Sequence, residues 1–403
     1  MFIKKNLEYQ KLPLPHKVSM SDFEMMSSIE SFREYMLKRH SVRDFSKRRV
    51  DFAIIQKAIQ IAGSAPSGAN HQPWHFVAIS NKDIKKTIRE AAEIEEKKFY
   101  SGGASDEWIK ARTGIKKRRV LKEKGKGTSY LAVNAANNLL ARKEIDPTTI
   151  DLVIVATITP DFHCASTAPT VASAINAINA YAYDISAACS GFLFGMSTAS
   201  SFIESGRYKK ILLIGADMMS SIVDYTDRST SILFGDGAGA VLVEPSTNGY
   251  GWEDEYLRSD GIGAEWLKVK SGGSLFPVSS ETLNNKWHFI TQDGKTVFKY
   301  AVSEMANATE QIMIRNKLKS DDIKYLLPHQ ANKRIIDATA EKINLDKKKV
   351  LMNIEQYGNT TAATIPLLMY DYEDNFKEGD KLIIAAFGAG LTWGAAYLTW
   401  AYN

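Results

Sequence analysis

The chain has 403 residues, 44% hydrophobic and 24% charged, with a formal net charge of +5. Such a length can bury one or more large cores, and so mild a charge, without an aromatic-interleaved basic module, argues against nucleic acid as a partner. No apolar run approaches the roughly 18–20 residues of a membrane span, and MFIKKNLEYQ lacks a secretory apolar stretch, so the expectation is a cytoplasmic protein without membrane association.

In chain order, residues from about Ser31 to Tyr100 read as a small α/β fragment. Two amphipathic helical stretches flank Ala65–Trp74, a short strand is expected at Phe76–Ser80, and Asn81 caps a helix running through Lys82–Lys98. From Ser105 the pattern alternates strand and helix. Strands are expected at Leu152–Thr157, Tyr183–Ser186, Ile211–Gly215, Ala238–Val243, His288–Thr291, Tyr325–Leu327, Val350–Ile354, Leu382–Phe387 and Ala395–Trp400. Helical periodicity fills Ala132–Ala141, Ser190–Ser205, Phe298–Lys317 and Asn332–Ile343. Apolar strands alternating with helices imply a layered α/β fold. The series also echoes itself, once before Glu244 and again after Trp287, which divides the chain into 1–104, 105–245 and 246–403. The first copy lacks an opening strand. His75–Ser80 stands where one belongs, so the N-terminal fragment is expected to donate it; the alternative is a join that damages the fold.

Three turns carry candidate chemistry. In YDISAACSGF a strand delivers Cys189 to a helix start, where amide groups and the helix dipole favour a thiolate. In YLLPHQANKRI, His329 sits in a strand-to-helix turn, and in NIEQYGNTTAATIP Asn359 follows Gly358 before a helix. Singly, these read as a buried core thiol, a turn histidine and an N-cap. Two cysteines, Cys164 and Cys189, are too few for a disulfide scaffold. With His163 and His329 they lack compact zinc-ligand spacing, so no metal is expected. FGDGAGA precedes a strand and lacks the full dinucleotide pattern, which makes it a tight turn.

Taken together, SDEWIKARTGIKKRR, SAACSGF, DYTDRST, FGDGAGA, LLPHQAN, YGNTTAA and FGAGLTWG resemble β-ketoacyl-acyl-carrier-protein synthase III from Ser105 to the end. The resemblance implies a thiolase-like duplicated layered fold, two mixed sheets with helices between and outside. It implies a decarboxylative Claisen condensation of an acyl-CoA primer with malonyl-acyl carrier protein, initiating fatty-acid synthesis without a required cofactor. Cys189 is then the nucleophile, His329 and Asn359 complete the active site, and the backbone of Cys189 and Ala389, in the Gly388–Gly390 turn, forms the oxyanion hole. Trp108 and Arg228 sandwich the adenine of CoA, Arg112 holds a phosphate and Asn332 bonds the pantetheine arm. Lys116–Arg119 with Lys333 and Arg334 form a surface for the acidic carrier protein. Cys164 falls in the acyl-pocket segment that the family contributes across a homodimer interface.

KRHSVRDFS (Lys38–Ser46) and APSGANHQPWHFV (Ala65–Val77) resemble the start of the nitroreductase-like flavoproteins. That resemblance places FMN contacts on Arg39 and Ser41, with Pro66–Gly68 near the flavin, but it stops near Ser101, before the half that completes a flavin pocket. The competing expectations are an FMN-dependent oxidoreductase, alone or fused to the synthase, a Cys–His hydrolase, and an inactive hybrid.

Overall fold

The structure, a computed structural model, describes residues 20–37, 48, 50–64, 75–99 and 106–403. By internal contacts the chain divides into two units, Met1–Glu95 and Glu96–Asn403. The first carries α1 (Asp22–Leu37), α2 (Phe52–Gly63) and most of α3 (Lys82–Phe99). Asp51 caps α2 by accepting from the Ala53 amide, and Asn81 caps α3 by accepting from the Asp83 amide at 2.8 Å. No residue of α2 is buried, and Ile54 and Ile61 are 62% and 73% exposed. The apolar stripe that makes a helix pack is therefore largely uncovered.

The expected strand Phe76–Ser80 is not formed. The segment has no regular secondary structure and belongs to none of the sheets, with Phe76 and Val77 44% and 70% exposed. Strand propensity is realised only against a paired edge and a buried face, and this segment has neither.

The second unit runs α4 (Asp106–Thr113), α5 (Thr128–Arg142), β1 (Leu152–Ala156), α6 (Thr167–Ala174), β2 (Tyr181–Ile185), α7 (Gly191–Glu204), β3 (Ile211–Met218), α8 (Arg228–Ser231) and β4 (Asp236–Val243). It continues with β5 (Trp252–Ser259), β6 (Leu267–Val269), α9 (Ser280–Asn284), β7 (Ile290–Gln292), α10 (Gly294–Arg315), β8 (Tyr325–Pro328) and α11 (Lys333–Lys342). It closes with α12 (Ile354–Tyr357), α13 (Thr364–Tyr372), β9 (Lys381–Gly388) and β10 (Thr392–Thr399). One four-stranded sheet has the order β2-β1-β3-β4 and the other β5-β10-β9-β8. In the first sheet β4 is antiparallel to β3 while β1, β2 and β3 are parallel, and in the second β8 and β9 are parallel while β10 runs antiparallel to β9 and β5.

Period-two burial on both faces of the central strands sets the layers. Ile211 and Leu213 of β3 and Leu382 and Ile384 of β9 share one core with Phe192, Leu193 and Leu368, so α7 and α13 lie between the sheets. Leu212 and Ile214 face the outer helices α5 and α6, while Ile383 and Ala385 face α10 and α11. Gly195 lets α7 press on β3, because a Cβ there would fall 2.6 Å from Leu213 Cδ1.

Two further strand expectations change. Val350–Ile354 contributes only an isolated bridge, Leu326 to Val350, because Gln330 Oε1 accepts from the Asn353 and Ile354 amides, both at 3.1 Å, and turns the chain into α12. β5 was not expected, since WEDEYLRS carries Glu253, Asp254, Glu255 and Arg258. It pairs with β10 through Leu257 opposite Gly394, while Asp254 is held by Arg315 at 2.6 Å and Trp252 Nε1 donates to Glu255 at 2.9 Å.

Candidate active site

Two strand-to-helix turns and the turn between α12 and α13 meet at a cavity of about 420 Å3 that Cys189, His329 and Asn359 all line. Cys189 occupies a short 3-10 turn, Ala188–Ser190, between β2 and α7. Ala188 has φ +47°, a left-handed backbone that costs a non-glycine residue on the order of 1 kcal/mol or more and persists only under tertiary constraint. The constraint comes from β10 and the turn before it. Ser190 Oγ donates to the Thr392 carbonyl at 2.9 Å, and Thr392 Oγ1 lies 3.0 Å from the Ala187 carbonyl and 3.1 Å from that of Ala389. Gly388 completes the approach, because a Cβ there would fall 2.7 Å from the Cys189 nitrogen. The two backbone segments expected to form the oxyanion hole are thereby locked together.

The thiol does not follow the helix-start argument. Burial, then the nearby charge of Asp217, pushes Cys189 up from its ordinary value and overcomes the backbone amide that favours the thiolate. Desolvation penalises the charged form, and in this buried turn it outweighs the dipole effect. The Cys189 side chain is therefore a neutral thiol.

His329 follows β8, its amide donating to the Ala385 carbonyl at 2.7 Å. Burial drives its imidazole down to about 3, so the ring is neutral. Its Nδ1 lies 2.7 Å from Thr364 Oγ1, which also lies 3.1 Å from the Thr361 carbonyl. Thr364 has one proton to give. Donated to Thr361, it makes His329 Nδ1 the donor and leaves a lone pair on Nε2; donated to Nδ1, it leaves the hydrogen on Nε2.

Asn359 is held like a strand residue across the Phe234 bridge, its amide donating to Leu233 at 2.9 Å and its carbonyl accepting from Gly235 at 3.0 Å. Its Oδ1 accepts from the Thr361 amide at 2.9 Å, which settles the amide orientation and leaves the Nδ2 donors for the cavity.

The same cavity is lined by Trp108 and Arg112 of α4, Arg228 of α8 and Asn332. Arg112 lies 5.1 Å over the Trp108 ring, a cation–π contact, so that guanidinium covers one indole face. Asn332 caps α11 by accepting from the Arg334 amide at 2.9 Å, and its Nδ2 is not part of that bond. Cys164 is exposed and is not part of this wall. Of the basic run, Arg118 turns inward to the carbonyls of Ser231 and Phe234, Arg119 reaches the Gln356 carbonyl, and Lys116 pairs with Glu355 at 2.7 Å. Arg39, Ser41 and Pro66–Gly68 lie outside the described residues.

Sequence reasoning missed Asp217, Thr361, Thr364 and Thr392. Thr361 stands at φ +54° in the cavity wall with a buried hydroxyl lacking a partner among the described residues. Thr361 and Thr364 at least sit beside Asn359 in the sequence. Asp217, at the end of a buried strand, carried no signal.

Comparison with known proteins agrees with this architecture. The family described as 3-oxoacyl-[acyl-carrier-protein (ACP)] synthase III matches residues 183–261, and its C-terminal family matches residues 313–400. β-Ketoacyl-[acyl-carrier-protein] synthase III 2 of Bacteroides thetaiotaomicron is 52% identical over 299 residues, 74% of this chain and 89% of the relative. The synthase III of Chlorobium chlorochromatii is 53% identical over 300 residues, 73% of this chain and 91% of the relative. The crystal structure of the Aquifex aeolicus synthase III superposes with a TM-score of 0.68 at 41% identity, covering 74% of this chain and 92% of that one. Residues 36–125 match the nitroreductase family. The chain belongs to the β-ketoacyl-acyl-carrier-protein synthase III family, with the thiolase-like fold of that family preceded by a nitroreductase-like segment.

Proposed function

We propose that Cys189, His329 and Asn359 perform the β-ketoacyl-acyl-carrier-protein synthase III reaction of this family, a decarboxylative condensation that initiates fatty-acid synthesis. The observation that carries this reading is their meeting in one cavity, whose wall holds both a neutral imidazole and a neutral thiol.

In the first step Cys189 Sγ attacks the carbonyl of an acyl-CoA. With Thr364 donating to Thr361, His329 Nε2 takes the thiol proton as the S–C bond forms and delivers it to the departing CoA sulfur. The Cys189 and Ala389 amides face the developing oxyanion, where one such donor is worth about 3–4 kcal/mol. In the second step the malonyl C–C bond breaks, carbon dioxide leaves, and the electron pair forms an enolate. Between the steps the neutral ring changes tautomer, Nδ1 giving its proton up to solvent and Nε2 taking one, and the Thr364 hydroxyl turns to donate to Nδ1. Asn359 Nδ2 and His329 Nε2–H then both donate to that oxygen. The enolate carbon attacks the acyl-Cys189 carbonyl, the S–C bond breaks to release the β-ketoacyl product, and the departing thiolate takes up one proton from solvent to regenerate the thiol. Trp108, Arg112, Arg228 and Asn332 bind CoA at the mouth.

The partners in this reading are acyl-CoA and acyl carrier protein, the protein works as a cytoplasmic homodimer, and the carrier meets Lys333, Arg334 and the exposed Lys117. Among the described residues no helix is long and apolar enough to cross a membrane. The nitroreductase match supports FMN as a second ligand, and a yellow flavin copurifying with the protein would establish it. With Arg39 and Ser41 outside the described residues, no chemical step runs through that group.

The test is intact mass after incubation with acetyl-CoA or isobutyryl-CoA, alongside Cys189→Ala. A single acyl adduct on the wild type, absent from the variant and discharged by malonyl-acyl carrier protein, is expected. A folded protein that takes no adduct overturns the reading.

A further inference from the structure

Asp217 stands at the end of β3 with 0% exposure. Its carboxylate makes no salt bridge among the described residues and is held by hydrogen bonds alone. Oδ1 accepts from Thr157 Oγ1 at 2.9 Å, the Ile158 amide at 2.8 Å, and the Thr159 amide and hydroxyl at 3.2 and 2.9 Å. Oδ2 reaches in another direction and accepts from the Ala362 amide at 3.2 Å. One oxygen thus gathers the end of β1 in the first half, and the other grips the turn after Asn359 in the second.

Burying an uncompensated carboxylate is expensive, and an apolar residue would fill a strand end at lower cost. The arrangement is explained by what Oδ2 holds. Thr361 is in the left-handed region, so the backbone after Asn359 has no relaxed default and takes its shape from its partners. The Thr361 amide is the donor that orients Asn359 Oδ1, and the next amide, Ala362, is the one Asp217 fixes. Gly215 on the same strand permits the contact, because a Cβ there would fall 2.3 Å from the Ala362 carbonyl oxygen.

We propose that Asp217 is a positioning residue for the condensing step: it clamps the Ala362 amide and so holds the Asn359 side chain in donating geometry. The carboxylate touches no substrate atom and acts through the turn. Its charge also bears on Cys189, since it is one of the causes that keep the thiol protonated until attack. The other charged or titratable side chains lining the Cys189 cavity are His329, Arg112 and Arg228.

This inference rests on the site reading given above, and the experiment separates the two. Asp217→Asn is isosteric: one oxygen still serves the β1 donors, while the new amide turns a donor toward the Ala362 N–H. With malonyl-acyl carrier protein, kcat for condensation is expected to fall between about tenfold and 100-fold, the scale of a small misplacement of a reacting group. KM and the rate of Cys189 acylation by acyl-CoA stay near wild type. Two readouts do not require turnover. Hydrogen exchange at the Thr361 and Ala362 amides accelerates, and with the Asp217 charge gone iodoacetamide inactivates Cys189 faster at a fixed pH. If wild type takes no acyl group, the site reading fails, yet exchange and alkylation still judge the clamp. Should Asp217→Asn not fold, Thr157→Val removes one donor from Oδ1 at constant shape and is expected to shift the same readouts less. Wild-type kcat with wild-type exchange at Thr361 and Ala362 overturns the proposal, as does an equal loss in acylation and condensation.

Discussion

The two halves of the condensing unit repeat one connectivity but finish their sheets differently. In the second half β10 is paired on both sides, by β9 and by β5, and Gly394, Ala395, Ala396, Leu398 and Thr399 are buried. Among the described residues its counterpart β4 pairs only with β3, and although DGAGAVLV is almost wholly apolar, six of its eight residues are only half-buried. Its other edge, flanked by Leu131, Ala135 and Leu139 of α5 and Leu367 and Tyr370 of α13, lines a groove of about 970 Å3. The charged strand β5 supplies in one half what nothing among the described residues supplies in the other. Strand formation is decided by an available partner edge more than by side-chain propensity.

In the proposed reaction the halves also divide the chemistry, the first carrying Cys189 and the second His329 and Asn359. Asn359→Ala is the strongest way to sharpen that division. An acyl adduct should still form on Cys189, while discharge by malonyl-acyl carrier protein falls about 100- to 1,000-fold, the usual cost of one oxyanion donor. Loss of the adduct itself would break the division.

Next in size is a pair of opposed pH effects, one in each half. Asp217 is raised by burial to about 6 in the fold, so its contribution to stability is full below the unfolded value of 3.8 and is lost as pH rises through about 6. His329 is lowered to about 3, so its contribution is full above 6.5 and drains as pH falls toward 3. Each slope is at most about 1.4 kcal/mol per pH unit. Urea midpoints measured from pH 4 to 7 should rise more steeply with pH in Asp217→Asn than in wild type, and less steeply in His329→Gln. Parallel curves would show that neither group titrates abnormally.

A smaller effect is expected at Thr364. Thr364→Val removes the hydroxyl that sets which His329 nitrogen carries hydrogen, and kcat should fall about tenfold with KM unchanged, as for loss of one buried hydrogen bond. Thr364→Ser should restore it; failure of that rescue would point to packing. Smallest is amide exchange along the two counterpart strands, β4 and β10. The outward amides of β4 should exchange roughly tenfold faster than those of β10, in line with the lower local stability of an unpaired edge. Equal protection would mean that the β4 edge is covered.

Much of the site was legible because strand-to-helix turns announce themselves locally. Cys189 and His329 each follow a strand and precede a helix, Asn359 follows Gly358 before one, and motif order along the chain tied them together. The N-terminal segment was legible as a resemblance but not as a fold. Phe76–Ser80 has the composition of a strand and remains unpaired, whereas Trp252–Ser259 has the composition of a loop and pairs along its length. Neither outcome is encoded within the segment itself.

From sequence alone came the alternation of elements, the duplicated half, the three turns and the reaction class, since these rest on local periodicity and contiguous motifs. The tertiary structure decided the rest. It made the Cys189 thiol and the His329 ring neutral, because desolvation depends on everything packed around a group. It gave Thr364 its choice of two acceptors, and it joined Asp217 to Ala362 across 145 residues of chain. Burial and long-range hydrogen bonds are properties of the folded neighbourhood, and no stretch of sequence contains them.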